Sequence, residues 1–198
     1  MIGALLAGGR GRRMGGGKPA RELAGRPLIA WPAQALREAC DRVVVVAKAG
    51  VELPPLPAVS ERWDEPDAEH HPARGIAFAL ERAGEPVLVC AADMPFVTAA
   101  ACRAVAAGLG EGAGRRGGPS PGPAAAVAVA GNFLQPVFAA YAPAALEALR
   151  GAAPDAPLTS TVRGLDPVLV EVDPALVRSV DTEEELARAE AELGLRGS

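Results

Sequence analysis

The apolar run Ile2-Gly3-Ala4-Leu5-Leu6 passes through Ala7 into Gly8-Gly9-Arg10-Gly11-Arg12-Arg13-Met14-Gly15-Gly16-Gly17-Lys18. A short run that is apolar throughout and stops at glycine suits a strand buried on both faces of a parallel sheet. The loop that follows holds six glycines, three arginines and a closing lysine. Glycine lets another molecule approach the backbone closely. Successive bare N–H groups form a concave anion site, and arginine and lysine add fixed charge suited to phosphate oxygens. Buried strand, glycine loop and basic residues together point to a cradle for nucleotide phosphates.

The rest of the chain alternates strand-like and helix-like stretches. Leu28, Trp31, Ala35, Leu36 and Ala39 fall near helical spacing. Val43 to Val46 is a β-branched run and reads as the next buried strand. Residues 51–57 hold three prolines and read as loop or edge. Ser60 to Pro72 is polar and reads as irregular, followed by a helix from Ala73 to Ala83. Pro86 to Ala91 reads as a third buried strand, ending at Ala92-Asp93-Met94-Pro95. Thr98 is positioned to cap a helix over Ala99 to Ala107. The stretch Gly108 to Pro123 is mostly Gly, Pro, Ser, Ala and Arg and reads as a flexible internal loop. Ala124 to Ala130 and Leu134 to Ala139 read as two strands joined at a Gly131-Asn132 turn. Pro143 to Leu149 reads as a helix and Pro167 to Val172 as a strand. Acidic residues crowd the start of a last helix at Glu183-Glu184-Glu185. Strands alternating with helices predict an α/β, Rossmann-like three-layer sandwich, with a mostly parallel sheet and helices on both faces. Residues 1–198 are expected to form a single domain, with the flexible loop at about 108–123 inside it.

The net charge of −4 argues against a general nucleic-acid or acidic-membrane binder, which would carry a basic footprint. No stretch reaches the roughly 18 apolar residues of a membrane span, and the first run lacks a signal peptide's basic start. Cys40, Cys90 and Cys102 are odd in number, widely spaced and set among apolar residues. They read as small buried hydrophobes in a reducing, cytoplasmic setting, with no disulfide or zinc framework.

In an open α/β sheet, ligands bind at the carboxyl ends of the strands. The glycine loop and Asp93 each follow a predicted strand and are expected to face one crevice. Magnesium prefers oxygen ligands and needs few carboxylates when phosphates and water complete its octahedron. One aspartate at a strand end opposite a phosphate loop meets that need, so Asp93 is a candidate metal ligand, with an ordinary helix-capping or turn aspartate before Pro95 as the other reading. The loop departs from the common phosphate-binding pattern because Pro19 follows Lys18. It also lacks the third glycine of a dinucleotide fingerprint, which counts against a dehydrogenase. His70 and His71 read as substrate-phosphate contacts or exposed loop, since two adjacent histidines rarely chelate one ion alone.

Leu6-Ala7-Gly8-Gly9-x-Gly11-x-Arg13-Met14-Gly15, then Lys18, resembles the signature of the nucleotidyltransferases whose type member is the molybdenum cofactor guanylyltransferase. Leu23-Ala24-Gly25-Arg26-Pro27-Leu28, Asp64 with Pro72 to Ile76, Val89 to Pro95, Gln135 to Tyr141 and Val180 to Leu186 resemble further segments of that family. The resemblance implies a nucleotidyl transfer from an NTP, GTP favoured, to a phosphorylated acceptor, molybdopterin favoured, with Mg2+ on Asp93. It implies catalytic roles for Lys18, Arg13 and Asp93. It implies nucleotide contacts from Leu6, Ala7, Gly8, Gly9, Lys18, Asp64 and Asp93. Asp181, where the family usually has asparagine, fits a second metal or substrate contact or a helix cap. Two departures touch base choice: Gly15-Gly16-Gly17-Lys18 is one residue short and lacks the family's aspartate, and Lys48 (or Ala47) stands where asparagine is common. Cytidylyl or other nucleotidyl transfer to another phosphorylated acceptor, and non-catalytic nucleotide binding, remain as alternatives.

Overall fold

A computed structural model describes residues 1–8, 18–66, 71–111 and 122–196. Seven strands form one sheet in the order β5-β4-β1-β6-β8-β7-β9. They are β1 (Ile2–Leu6), β4 (Arg42–Lys48), β5 (Glu61–Glu65), β6 (Val87–Ala91), β7 (Ala125–Ala130), β8 (Phe133–Tyr141) and β9 (Val168–Glu171). A two-stranded hairpin, β2 (Glu22–Leu23) and β3 (Arg26–Pro27), stands apart. All pairings in the large sheet are parallel except those of β8 with β6 and β7. The mostly parallel sheet expected from the buried apolar runs is present.

Helices cover both faces, and strand alternation decides which residue meets which helix. Leu5, Val43, Val45, Leu88 and Cys90 pack with α1 (Ala30–Ala39) and α3 (Ala99–Glu111). Ile2, Ala4, Val44, Val46, Val87 and Val89 pack with α2 (Pro72–Ala83) on the opposite face, joined by α4 (Leu146–Arg150) and α5 (Leu158–Arg163). A smaller cluster of Leu23, Leu28, Phe96, Val180, Leu186 and Ala189 fastens α6 (Glu183–Arg196) over the hairpin. Cys40, Cys90 and Cys102 are buried free thiols, as their apolar contexts predict.

Three departures from the sequence reading have local causes. Residues 61–65 form the edge strand β5, because Trp63 buries against α2 while its polar neighbours face water. Helix α3 runs to Glu111, four residues into the stretch read as loop. Gly108 permits this: a Cβ there would meet the Ala126 side chain at 2.8 Å and that of Val170 at 3.1 Å. Helix α5, in a stretch for which the sequence analysis predicts no element, starts directly after Pro157. Residues 112–121, the remainder of the predicted flexible loop up to Pro121, lie outside the described residues.

Candidate functional site

The carboxyl ends of β1 and β6 lie side by side, and the chain leaves them toward opposite neighbours. From β1 it crosses to β4 and β5; from β6 the sheet continues through β8. Such a reversal point is where open α/β sheets bind ligands. A cavity of about 640 Å³ opens there, with Leu6 and Gly8 from the end of β1, Asp93 and Met94 from the end of β6, and Gly75 from α2 among its lining.

At Asp93, on the cavity lining, three charged side chains meet. Lys18 Nζ donates to Asp93 Oδ2 at 2.7 Å and to Asp181 Oδ1 at 2.6 Å. Lys18 is drawn in by a short 3₁₀ turn over residues 18–20. The Val180 N–H donates to the Asp93 carbonyl at 2.9 Å, which stitches the segment before α6 to the end of β6. Burial pulls the Lys18 pKa down, but the Asp93 and Asp181 carboxylates outweigh it and leave it raised above 10.5. Ser179 Oγ donates to the other oxygen of Asp181 at 2.5 Å. Asp181 is not the helix cap. Thr182 Oγ1 accepts from the Glu185 N–H, and the Glu185 carboxylate accepts from the N–H groups of Asp181 and Thr182, a capping box that leaves the Asp181 side chain for Lys18.

Two carboxylates that already converge on one cation are hard oxygen donors of the kind magnesium takes, with phosphate oxygens and water to complete its shell. Asp93 and Asp181 are thus the residues that could hold a divalent ion. No group of three or more His, Cys, Asp or Glu gathers among the described residues.

On the side of β4 and β5, Lys48 and Glu65 end adjacent strands and are each only 7 % exposed. Lys48 Nζ donates to Glu65 Oε1 and to the Pro66 carbonyl, both at 3.2 Å. Gly8 and Gly75 leave room for the Glu65 carboxylate: a Cβ on either would sit 3.5–3.6 Å from Oε2. Two opposite charges withdrawn from water at a cavity wall are costly unless well paired. Helix α2 brings its N-terminus to the same wall. There the His71 ring accepts the Ala73 N–H at 3.2 Å and its Nε2 donates to the Ala156 carbonyl at 2.9 Å. His71 is therefore a helix cap whose ring also borders the cavity.

Of the residues singled out from sequence, Leu6, Gly8 and Asp93 line the cavity. Leu6, Ala7, Lys18 and Asp93 border a smaller pocket of about 40 Å³ beside it. Asp64 lies elsewhere. Its Oδ1 accepts from Arg62 Nε at 2.7 Å on the outer edge strand, and its side chain is more than half exposed. Strand alternation turns the neighbouring Glu65 inward with Trp63. Gly9, Arg13 and His70 lie outside the described residues. The sequence reading passed over Glu65 and Ser179, and met Lys48 only as a departure from asparagine. Trp63 in the polar run Glu61-Arg62-Trp63-Asp64-Glu65 was the available signal, since a buried aromatic fixes which alternate residues face in.

On the side of β8, Gln135, Val137, Val177 and Ser179 complete the lining. The cavity thus has two wings, with Asp93 of the Lys18–Asp93–Asp181 cluster on the lining between them.

A family model described as MobA-like NTP transferase domain matches residues 3–169. The probable molybdenum cofactor guanylyltransferase of Mycobacterium tuberculosis (strain ATCC 25618 / H37Rv) is 37 % identical over 102 residues, covering 50 % of this chain and 51 % of that protein. The molybdenum cofactor guanylyltransferase of Cereibacter sphaeroides is 37 % identical over 108 residues, 49 % of this chain and 52 % of that protein. The matches span about half the length of these curated relatives. Among solved structures, molybdopterin-guanine dinucleotide biosynthesis protein A from Archaeoglobus fulgidus shares the fold at a TM-score of 0.75 and 24 % identity, covering 98 % of this chain and 100 % of that one.

Proposed function

Because the chain belongs to the MobA-like NTP transferase domain family, we propose that it transfers a nucleoside monophosphate from an NTP to a phosphorylated acceptor. GTP is the favoured donor and molybdopterin the favoured acceptor, in keeping with the names of its relatives. A phosphate oxygen of the acceptor attacks the α-phosphorus, the bond from that phosphorus to the β-phosphate oxygen breaks, and pyrophosphate leaves with that electron pair. The attacking phosphate is already ionised near neutral pH, so the chain has to supply positioning and charge rather than a nucleophile.

The observation that carries this reading is the cluster of Lys18, Asp93 and Asp181, joined through Asp93 to the lining of a two-winged cavity. In the wing of β4 and β5, Lys48 and Glu65 end strands that lie two and three spacings across the sheet from β6, about 10 and 14 Å. That span suits a nucleotide from phosphate to base. Glu65 offers carboxylate acceptors and Lys48 an ammonium donor, the complement of a guanine edge with its amine and carbonyl. The backbone of Leu6, Ala7, Gly8 and Gly9, with Arg13 and Lys18, holds the polyphosphate. Asp64 serves the nucleotide only from outside the cavity, so its role passes to Glu65. Asp93 and Asp181 would hold Mg2+, which would supply charge neutralisation for the phosphates. Lys18, beside both carboxylates, would stabilise the departing pyrophosphate.

Pyrophosphate release from GTP, CTP, UTP and ATP, each with Mg2+ and molybdopterin, tests the reading. GTP is expected to react fastest, and Asp93→Ala to lower turnover on the order of a hundredfold or more. Near wild-type turnover in Asp93→Ala, or no release with any nucleotide, sinks the mechanism. Preference for CTP would leave the transfer standing and move the base assignment.

A further inference from the structure

We propose that Gln135 recognises the acceptor, and that a bulge in β8 exists to aim it. The proposal rests on the transfer reading above. It names the group that reads the second substrate and the chemistry of that substrate: a flat heterocycle with adjacent donor and acceptor atoms along one edge.

Val127 of β7 pairs with Ala139, but the next residue, Ala128, pairs with Gln135, so Pro136, Val137 and Phe138 have no partner on β7. Residues four apart on an unbroken strand share a face. Val127 and Ala128 face opposite ways, Val127 into the cluster under α2 and Ala128 into the cluster under α1 and α3. Ala139 follows Val127, and Gln135 is therefore turned over to the face of Ala128, where Met94 and Val177 also pack. In an unbroken strand Gln135 would share the face of Ala139 and point into the α2-side core. Bulges beside active sites commonly re-aim a side chain in this way.

The bulge carries its own support. Pro136 brings no N–H that would need a partner. Its carbonyl accepts from the buried Tyr141 hydroxyl at 2.7 Å. Tyr141, 0 % exposed, thereby satisfies a backbone acceptor that the broken ladder leaves over.

The direction of Gln135 matters because of which wing it lines. The half-sheet β1-β4-β5, which begins with the glycine loop, is the mononucleotide-binding half of a doubly wound fold. The β8 wing is left for the second substrate. Met94, Val137 and Val177 make its lining apolar, and the Gln135 amide takes no hydrogen-bond partner among the described residues. An amide offers a donor pair and an acceptor side by side. It matches a lactam or amide–amine edge, and a site built to bond such an edge rejects analogues that lack it.

The test uses the full chain, saturating GTP with Mg2+, and neopterin monophosphate, a fluorescent phosphorylated pterin, read by fluorescence anisotropy. GTP affinity is measured separately by calorimetry. Gln135→Ala and Gln135→Leu are expected to weaken pterin binding tenfold or more, with GTP affinity changed less than twofold. Tyr141→Phe is expected to weaken pterin binding several-fold, again with GTP unaffected. Ribose 5-phosphate, which has a phosphate but no such edge, is expected to leave the pterin in place. GTP binding with equal pterin affinity in wild type and both Gln135 variants, or with no pterin binding at all, overturns this inference alone. A wild-type protein that binds neither ligand overturns the transfer reading and this inference together.

Discussion

Lys48 and Glu65 sit at adjacent strand ends, where a hydrophobic pair of similar size would cost less to bury. A buried ion pair often contributes little net stability, whereas breaking one leaves an uncompensated charge at about 3–5 kcal/mol. Lys48→Met is therefore expected to lower unfolding free energy by about that much, read from urea midpoints. Lys48→Met combined with Glu65→Leu is expected to regain most of it while still failing to bind GTP tightly. A single variant as stable as wild type would show that the pair is solvated and structurally idle. The residue scale is also where sequence reading was least decisive. Asp64 and Glu65 are adjacent acids, and only the parity of the strand, set by Trp63, separates the outward one from the inward one. The place of Asp93 at the crevice was legible because it follows a buried strand run, whose carboxyl end faces the ligand side of an open sheet. The partnership of Asp93 with Asp181 was not, since it joins residues far apart through a lysine that itself ends a loop.

Elements were legible where one local rule dominated. The continuous apolar runs gave β1, β4 and β6, and Thr98 caps α3 by accepting the Ala101 N–H at 3.2 Å as expected. Gly108 misled because glycine-rich composition signals loop, whereas here it signals close packing of a helix on a sheet. The two glycines of α3 separate those meanings. Gly108→Ala drives a Cβ to 2.8 Å from the Ala126 side chain and is expected to destabilise by about 1–3 kcal/mol through overpacking. Gly110→Ala meets nothing within 4 Å and is expected to stabilise by about 0.5–1 kcal/mol through helix propensity. Thermal melts of the two variants check the pair, and equal shifts would mean that α3 does not seat on β7 and β9 as described. The bulge in β8 was invisible in sequence, because Gln135-Pro136-Val137-Phe138 reads equally well as an unbroken strand until its partners on both sides are known.

Across the whole molecule the buried thiols, Tyr141 and Lys18 lean one way. Burial raises Cys40 to about 11 and Cys102 to about 12, and pushes Cys90 well above the ordinary thiol value of 9.0. Burial also raises Tyr141, and Lys18 is raised by its two carboxylates despite its burial. In every case the unfolded chain loses the proton first as pH rises. The stability linked to these groups is complete below about pH 9 and declines as pH climbs through the raised folded values. Calorimetric melting temperatures are expected to hold steady from pH 7 to 8.5 and to fall between pH 9 and 12. A flat profile to pH 11 would contradict the burial of the thiols. The same burial makes them slow to alkylate at pH 8 in the native state, and GTP with Mg2+ is expected to slow labelling further by favouring the folded form. The layered sheet was readable from the alternation of elements, but the two-winged cavity depends on how both ends of the chain return to one place. Lys18 meets Asp181 across a sequence separation of 163 residues, and the family match ends at residue 169, short of Asp181. A chain clipped near residue 170 would keep every matched residue yet lose the latch, so the matched domain and the closed Lys18 cluster can be parted by a single cut.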